Sequence, residues 1–490
     1  MNVFALSIYA TEALHARRVR ATRALGNFSV KGFYKGYSES SLNEKSKIDM
    51  RNFYLLVLPT CLFLLQPCFS QALPSSVQEI NSPVADLGLA ISTACKAAGS
   101  SAQIKINLTS GTISTPPFAA CGPATVIEFG PGVFTFTGAA TSNTISVNGL
   151  KIVGAGKGAT IFELDSPTSN LFTVEGEYFE LAKVHIRPKR GVVRTAGHII
   201  VAHNSLGDVH DVLLVDPWNG FLLEGPRSGP WSFDNISIYT SGGNWNYLFK
   251  TFSSTGTSTS FTMHNISGDL AHGHQFGPLM VFDSRTDTVA LSDINIVGAG
   301  GQPIVRCQDS GNAGKGEWPR WIHFTNAFFE APNATAIEIE SARDFSFQNG
   351  YVSGANVGIA VGSGAYDTKI IGDVFPDLAR QAITVAAGSK ATVIQGNTFD
   401  SDGHSPGSFA VIDVAADATD FTIIGNQSFS FYPAAQYPAY GTRVASGKST
   451  RFAITNNNFH QTKSEAVHNG SDPAGEFNIS GNSGIKSTGR

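Results

Sequence analysis

Asp269 lies four residues beyond Asn265, and Glu330 lies four residues beyond Asn326. If the two asparagines occupy the same corner of a repeating unit, the two carboxylates fall on one line. Two units apart at ~4.8 Å each, they are separated by about 9–10 Å. That is the upper edge of the ~6.5–9.5 Å carboxyl spacing with which inverting glycosidases leave room for a water. His272 and His274 follow directly and can take or give a proton near neutral pH. The same alignment adds Asp216 as a third acid. Trp218, Tyr239 and Trp245 offer faces on which a sugar ring stacks. "HIRPKRGVVR" supplies Arg187, Arg190 and Arg194, suited to holding an acidic glycan, which would favour elimination over hydrolysis.

Each of these residues also has a plainer structural account. An aspartate after a turn commonly bonds its own backbone, which covers Asp216 and Asp269 taken singly. Two histidines at i and i+2 in a loop can face solvent, and no third metal ligand accompanies them. Glu330 precedes the loop "APNAT" and can be solvated there. "NTFDSDGHSPG", with Asp400, Asp402 and His404, reads as a polar turn. The case for a site is therefore co-location across neighbouring units between residues 211 and 330.

The elements that would position these residues are short and repetitive. "FDNISIY", "MHNISGD", "LSDINIV", "FTNAFFE" and "FQNGYVS" start at Phe233, Met263, Leu291, Phe324 and Phe347. "IIGDVFP", "IQGNTFD", "IIGNQSF", "ITNNNFH" and "ISGNSGI" continue them from Ile370, Ile394, Ile423, Ile454 and Ile479. Each has an apolar residue, Asn or Asp at a turn, then a short strand. A repeat of roughly 20–50 residues means a solenoid or a propeller, and units this small favour the solenoid. The expected fold is all-β, a right-handed parallel β-helix with a short N-terminal capping helix. Stacked coils satisfy one another's backbone edges and extend one core. The corner residues Asp211, Asn235, Asn265, Asp293, Asn326, Asn349, Asp373, Asn397, Asn426, Asn458 and Asn482 then form a structural ladder. Sequons at Asn235, Asn265 and Asn426 would be inaccessible within it. Helical spacing of apolar residues predicts one helix over Val84–Ala98.

"LKIVGAGKGATIFEL" spaces three glycines around Lys157. A dinucleotide loop must open a helix, whose N-terminus holds the phosphates. Here "ATIFEL" follows and alternates as a strand does, so the glycines mark a corner and no nucleotide is expected. With 15% charged residues and a net charge of −4, the chain also lacks the basic footprint of a nucleic-acid binder.

The order of the helix, "VIEFGPGVFTFTG" and the glycine corner resembles the pectate-lyase-like superfamily, in the branch related to family 28 glycoside hydrolases and phage tailspikes. The matching positions are Pro131, Gly132 and Phe134, then Gly154, Gly156, Gly158 and Thr160. The resemblance implies a polysaccharide partner. Relatives include hydrolases, lyases, epimerases and non-catalytic binders, and phage relatives trimerise, so a homotrimer is open. The hydrolase motifs Asn-Thr-Asp, Asp-Asp, Gly-His-Gly and Arg-Ile-Lys are not intact. "AHGHQFG" carries His272, Gly273 and His274 in another order. No catalytic residue is carried over. No cofactor is expected, and calcium enters only if the chemistry is that of a lyase.

Residues 1–49 form an atypical basic and polar extension, explained by translation from Met50 or by a longer leader. Residues 50–72 read as a secretory signal: Arg51, an apolar run from Phe53 to Leu65 below the length of a span, and Ser70-Gln71-Ala72. No stable membrane anchor is expected. A cap over 73–125 and a β-helix over 126–490 complete the layout. Cys95 and Cys121 can pair in an oxidising compartment, leaving Cys307 buried. The chain is thus expected to be secreted, extracellular or periplasmic, and to act on a polysaccharide as hydrolase or lyase. The competing account is a non-catalytic carbohydrate-binding or adhesion solenoid.

Overall fold

The computed structural model describes residues 76–490 apart from 139–143, 227, 254–257, 299, 311–316, 403–408, 432, 434–435, 474–475 and 485–490. The extension over 1–49 and the signal over 50–72 lie outside the described residues. The described chain is an all-β parallel solenoid of about 14 turns. Every strand pairing in it is parallel, each strand hydrogen-bonding to the equivalent strand one coil on. The ladder begins at Ser76–Ile80, paired with Ala102–Ile106, so the β-helix starts inside the expected cap and not at residue 126.

Each coil has three faces. The first carries strands such as Val126–Phe129 and Phe179–Ala182. A left-handed corner follows, then a second face with strands such as Thr160–Leu164 and Phe328–Glu330. The third face holds Trp218–Glu224 and its neighbours. Long strands such as Gly207–Val215 and Trp231–Tyr239 run through the corner from the first face onto the second.

The apolar residue that opens each repeat forms one axial column inside the first face. It runs in register from Ile104 through Ile127, Ile152, Leu181, Val209, Phe233, Met263, Leu291, Phe324 and Phe347 to Ile370, Ile394, Ile423, Ile454 and Ile479. Almost all of these side chains are fully buried. Edge-to-face phenylalanines fill the proximal core, including the Phe129–Phe162 and Phe136–Phe162 pairs.

Two residues beyond that column the backbone turns left-handed, a conformation open to Asn, Asp and Gly. Asp211, Asn235, Asn265, Asp293, Asn326 and Asn349 occupy it with φ of 53–56°. From the next coil on, Gly372, Gly396, Gly425, Asn456 and Gly481 take the corner, and the ladder moves one residue further, inward. There Asn397 donates to Asn426, Asn426 to Asn457, and Asn457 to Asn482, through both backbone and side-chain N–H groups. The expected single ladder is therefore two, offset by one residue, and Asn457 rather than Asn458 belongs to the second. A glycine supplying the turn frees the next position for a buried amide. The sequons separate accordingly: Asn426 is buried, Asn235 half-buried, and Asn265 exposed against expectation.

The single helix, α1 (Leu87–Ala98), starts three residues later than its apolar spacing suggests. Asp86 caps it, accepting from Gly88 N and reaching Ser114 N and Thr115 Oγ1 on the next strand connection. Cys95 on α1 is disulfide-bonded to Cys121, and Cys307 is free and buried. "LKIVGAGKGATIFEL" is a turn between strands Lys151–Gly154 and Thr160–Leu164.

Candidate functional site

The second face presents the acids expected from the sequence. Val215, Tyr239, Asp269 and Val297 are consecutive in register, and Glu330 continues the line, since Ile296 pairs with Phe329. Asp269 and Glu330 thus stand two coils apart on one outward column. Asp269 is exposed and accepts from Ala271 N at 3.2 Å. Glu330 is half-buried. Arg187 lies on the same face nearer the N-terminus, donating to Glu163 at 2.8 Å, and Arg190 is exposed. His272 is exposed in the turn that leaves this face and exposed His274 opens the strand after it, paired with Asn244, while Trp218 packs 5.2 Å from the exposed ring of Phe276.

Three expected residues have other work. Asp216 accepts from Ser241 N, Ser241 Oγ and Gly243 N, so both its oxygens are spent on capping the next coil's turn. Trp245 is 2% exposed and packs in the core, where no sugar can reach it. Its inward placement follows from strand alternation within Asn244–Phe252. Arg194 is buried as well, donating to the carbonyls of Pro217, Ser166, Ser169 and Ala196. Burial lowers its pKa to about 10.

The first face holds an arrangement that sequence reasoning did not reach. A groove of about 620 Å³ crosses successive coils at the edge between the third and first faces. Along its floor the outward residues Lys151, Glu180, Asp208, Ser232 and Thr262 follow one another in register. Glu180 is held at both ends: Lys151 Nζ lies 2.6 Å from Oε2 and His210 Nε2 lies 3.5 Å from Oε1. Asp208 neighbours Glu180 on the next coil, and its Oδ1 is buried without a hydrogen-bond partner among the described residues. Burial raises the Asp208 pKa, against the pull of His210 and Ser232, and the Glu180 and Asp234 charges add to the rise. Burial alone would lower the His210 pKa, but Asp211, Asp208 and Glu180 outweigh it and hold it above the usual value. Further along the face, His264 bridges Asp234 (2.7 Å) and Asp293 (3.2 Å). Tyr178 stands at the lip, 67% exposed with φ of 59°.

The signal for this cluster was present but short-ranged. Asp208 and His210 precede the corner at Asp211, and Glu180 precedes the corner at Lys183, whereas acids beyond the Asn/Asp corners are the ones the repeat points to. Among the described residues no group of three or more His, Cys, Asp or Glu is arranged to hold a metal ion, and no helix is long and apolar enough to cross a membrane.

These coils form a right-handed parallel β-helix, as the resemblance led one to expect. Among solved structures, the A-module of the mannuronan C-5 epimerase AlgE6 of Azotobacter vinelandii is similar, with a TM-score of 0.52 and 12% identity over 83% of this chain and 97% of that one. The AlgE4 A-module of the same organism gives 0.46 and 12%, over 81% and 96%. The catalytic unit of a thermostable α-1,3-glucanase of Streptomyces thermodiastaticus gives 0.44 and 13%, over 84% and 69%. The first of these is a likeness of fold. No protein-family model and no curated protein matches the sequence.

Proposed function

We propose that the protein is a secreted polysaccharide-active enzyme that hydrolyses glycosidic bonds in the groove of the first face. The observation that carries this is the pairing of Asp208 with Glu180 on neighbouring strands. One carboxyl is pushed toward its protonated form, and the other sits between two cations. Environments that differ in this way divide acid and base roles between two carboxyls. Asp208 donates its proton to the glycosidic oxygen as the bond to the leaving sugar breaks. Glu180 is the carboxylate facing the anomeric carbon. Outward residues on strands ~4.8 Å apart fit the closer carboxyl spacing of ~5–5.5 Å found in retaining enzymes, in which a glycosyl-enzyme forms and water then releases it. Tyr178 offers a ring for a sugar to stack on. The Cys95–Cys121 disulfide supports an oxidising, extracellular or periplasmic location.

A second reading, a binding solenoid without turnover, is favoured by the engagement of Glu180 with both Lys151 and His210. The Asp269–Glu330 pair is the alternative catalytic site. Incubation with a panel of acidic and neutral polysaccharides decides between enzyme and binder. New reducing ends without the ultraviolet absorbance of unsaturated uronates mean hydrolysis. Both signals together mean elimination. Binding on a glycan array with neither signal removes the enzyme reading.

A further inference from the structure

Resting on the reading of the groove as a polysaccharide track, we propose that the track ends in a distal subsite for an anionic sugar, built from Arg343, Tyr366 and Lys390. The three are consecutive in register on adjacent coils, after Asp287 and Arg320 on the same line. They line a second depression of about 410 Å³, together with Trp318, Gly364 and Gly388. Thr288 and Ala290 line the first groove, and the coil that follows them carries Trp318 and Arg320. The two depressions therefore share one edge of the solenoid. Asp208 and the Arg343 strand are five coils apart along it, about 24 Å.

The charges of this depression are available to a ligand. Around it the acids are already taken: Asp287 by Arg320, Glu317 by Arg285, Asp344 and Asp367 by Lys369, and Asp420 by Arg451. Arg343 and Lys390 are exposed and have no ion pair among the described residues, with Lys390 only adding at longer range to the pull of Arg451 on Asp420. The Arg343 guanidinium lies 5.7 Å from the centroid of the Tyr366 ring, which is itself 43% exposed. A guanidinium supported by a ring keeps its fork of donors free for a planar anion. Exposed Tyr366 and half-buried Trp318 supply stacking faces beside it. Gly388, with φ of +84°, keeps the floor free of a side chain. Two cations two coils apart, about 10 Å, suit charges repeated along a linear glycan rather than a single small ion.

Calorimetry on the whole protein tests this with three probes of equal length: an oligouronate, a sulfated galactan oligosaccharide and a neutral cello-oligosaccharide. The expected result is an anionic probe bound at least ten-fold more tightly than the neutral one, with the preference shrinking as salt rises. Stronger binding of the oligouronate identifies a carboxylate as the ligand group, and stronger binding of the galactan a sulfate. The double variant Arg343→Ala/Lys390→Ala should lose that preference, while its circular dichroism stays unchanged. Arg343→Lys should lose less, since it keeps charge but not the fork. Wild-type affinity for the anionic probes in the double variant, or equal or no binding of all probes by the wild type, overturns the subsite. Turnover of a neutral glycan alongside equal binding would leave the hydrolase reading intact and remove only the subsite. Anionic preference without turnover on any substrate would keep the subsite and remove the hydrolase.

Discussion

Asp373 occupies a position that its successors fill with asparagine. In Asn397, Asn426 and Asn457 the amide nitrogen donates to the carbonyls of Ile370, Ile394 and Ile423. Asp373 accepts from Gly350 N through Oδ1, while Oδ2 is buried without a partner among the described residues. By register the equivalent acceptor is the Phe347 carbonyl. Only the protonated acid can donate to it. Burial raises the Asp373 pKa from 3.8 to about 8, outweighing the backbone N–H groups that favour the anion. Between those values the folded chain holds a proton that the unfolded chain has released, so this residue makes stability fall as pH rises. The slope is at most about 1.4 kcal/mol per pH unit. Asp373→Asn should remove that slope and raise stability at pH 8. Urea midpoints at pH 5 and pH 8 for both proteins check it. Asn426→Ala should act the other way at any pH. It strands the buried N–H groups of Asn397 and the Ile394 carbonyl, at about 3 kcal/mol in total, read from the same denaturation curves.

At the scale of elements, α1 closes the proximal end, and two attachments hold it there. Asp86 ties its first turn to Ser114 and Thr115, and the disulfide ties its last turn to Cys121. Reduction opens a loop of 26 residues, for which chain entropy gives about 3–4 kcal/mol. Hydrogen exchange should show coils near α1 losing protection on reduction, with the Asn397–Asn482 coils unchanged. The repeat motif made these elements legible. The residue opening each repeat, from Phe233 to Ile479, is the buried column of the first face, because a coil can stack only if that position stays apolar. From Asp373 onward the expected corner lies one residue beyond the observed one, and two beyond it at Asn458. A left-handed turn accepts Gly, Asn and Asp alike, so spacing alone cannot say which of two adjacent residues makes it. Trp245 was misplaced for a related reason: alternation reverses inside and outside with one step of register.

Across the whole molecule, fold and chemistry differ in how far sequence reveals them. The solenoid repeats one local rule, so each coil confirms the others. The proposed site is written once, by residues nearly 30 positions apart that meet only after stacking, as Lys151, Glu180 and Asp208 do. Asp269 and Glu330 were placed on one column by counting from their corners. Burial of Asp208 and the cations around Glu180 were invisible until the coils were stacked. The central claim is that the first-face groove, and not the second face, carries turnover. The most direct test is the rate of reducing-end release from the best substrate by Asp208→Asn and by the double variant Asp269→Asn/Glu330→Gln. Asp208→Asn should lose on the order of 10²–10⁴ in kcat with binding retained, while the double variant keeps near-wild-type turnover. The reverse outcome, an active Asp208→Asn and an inactive second-face variant, would place the chemistry on the opposite column and contradict this account.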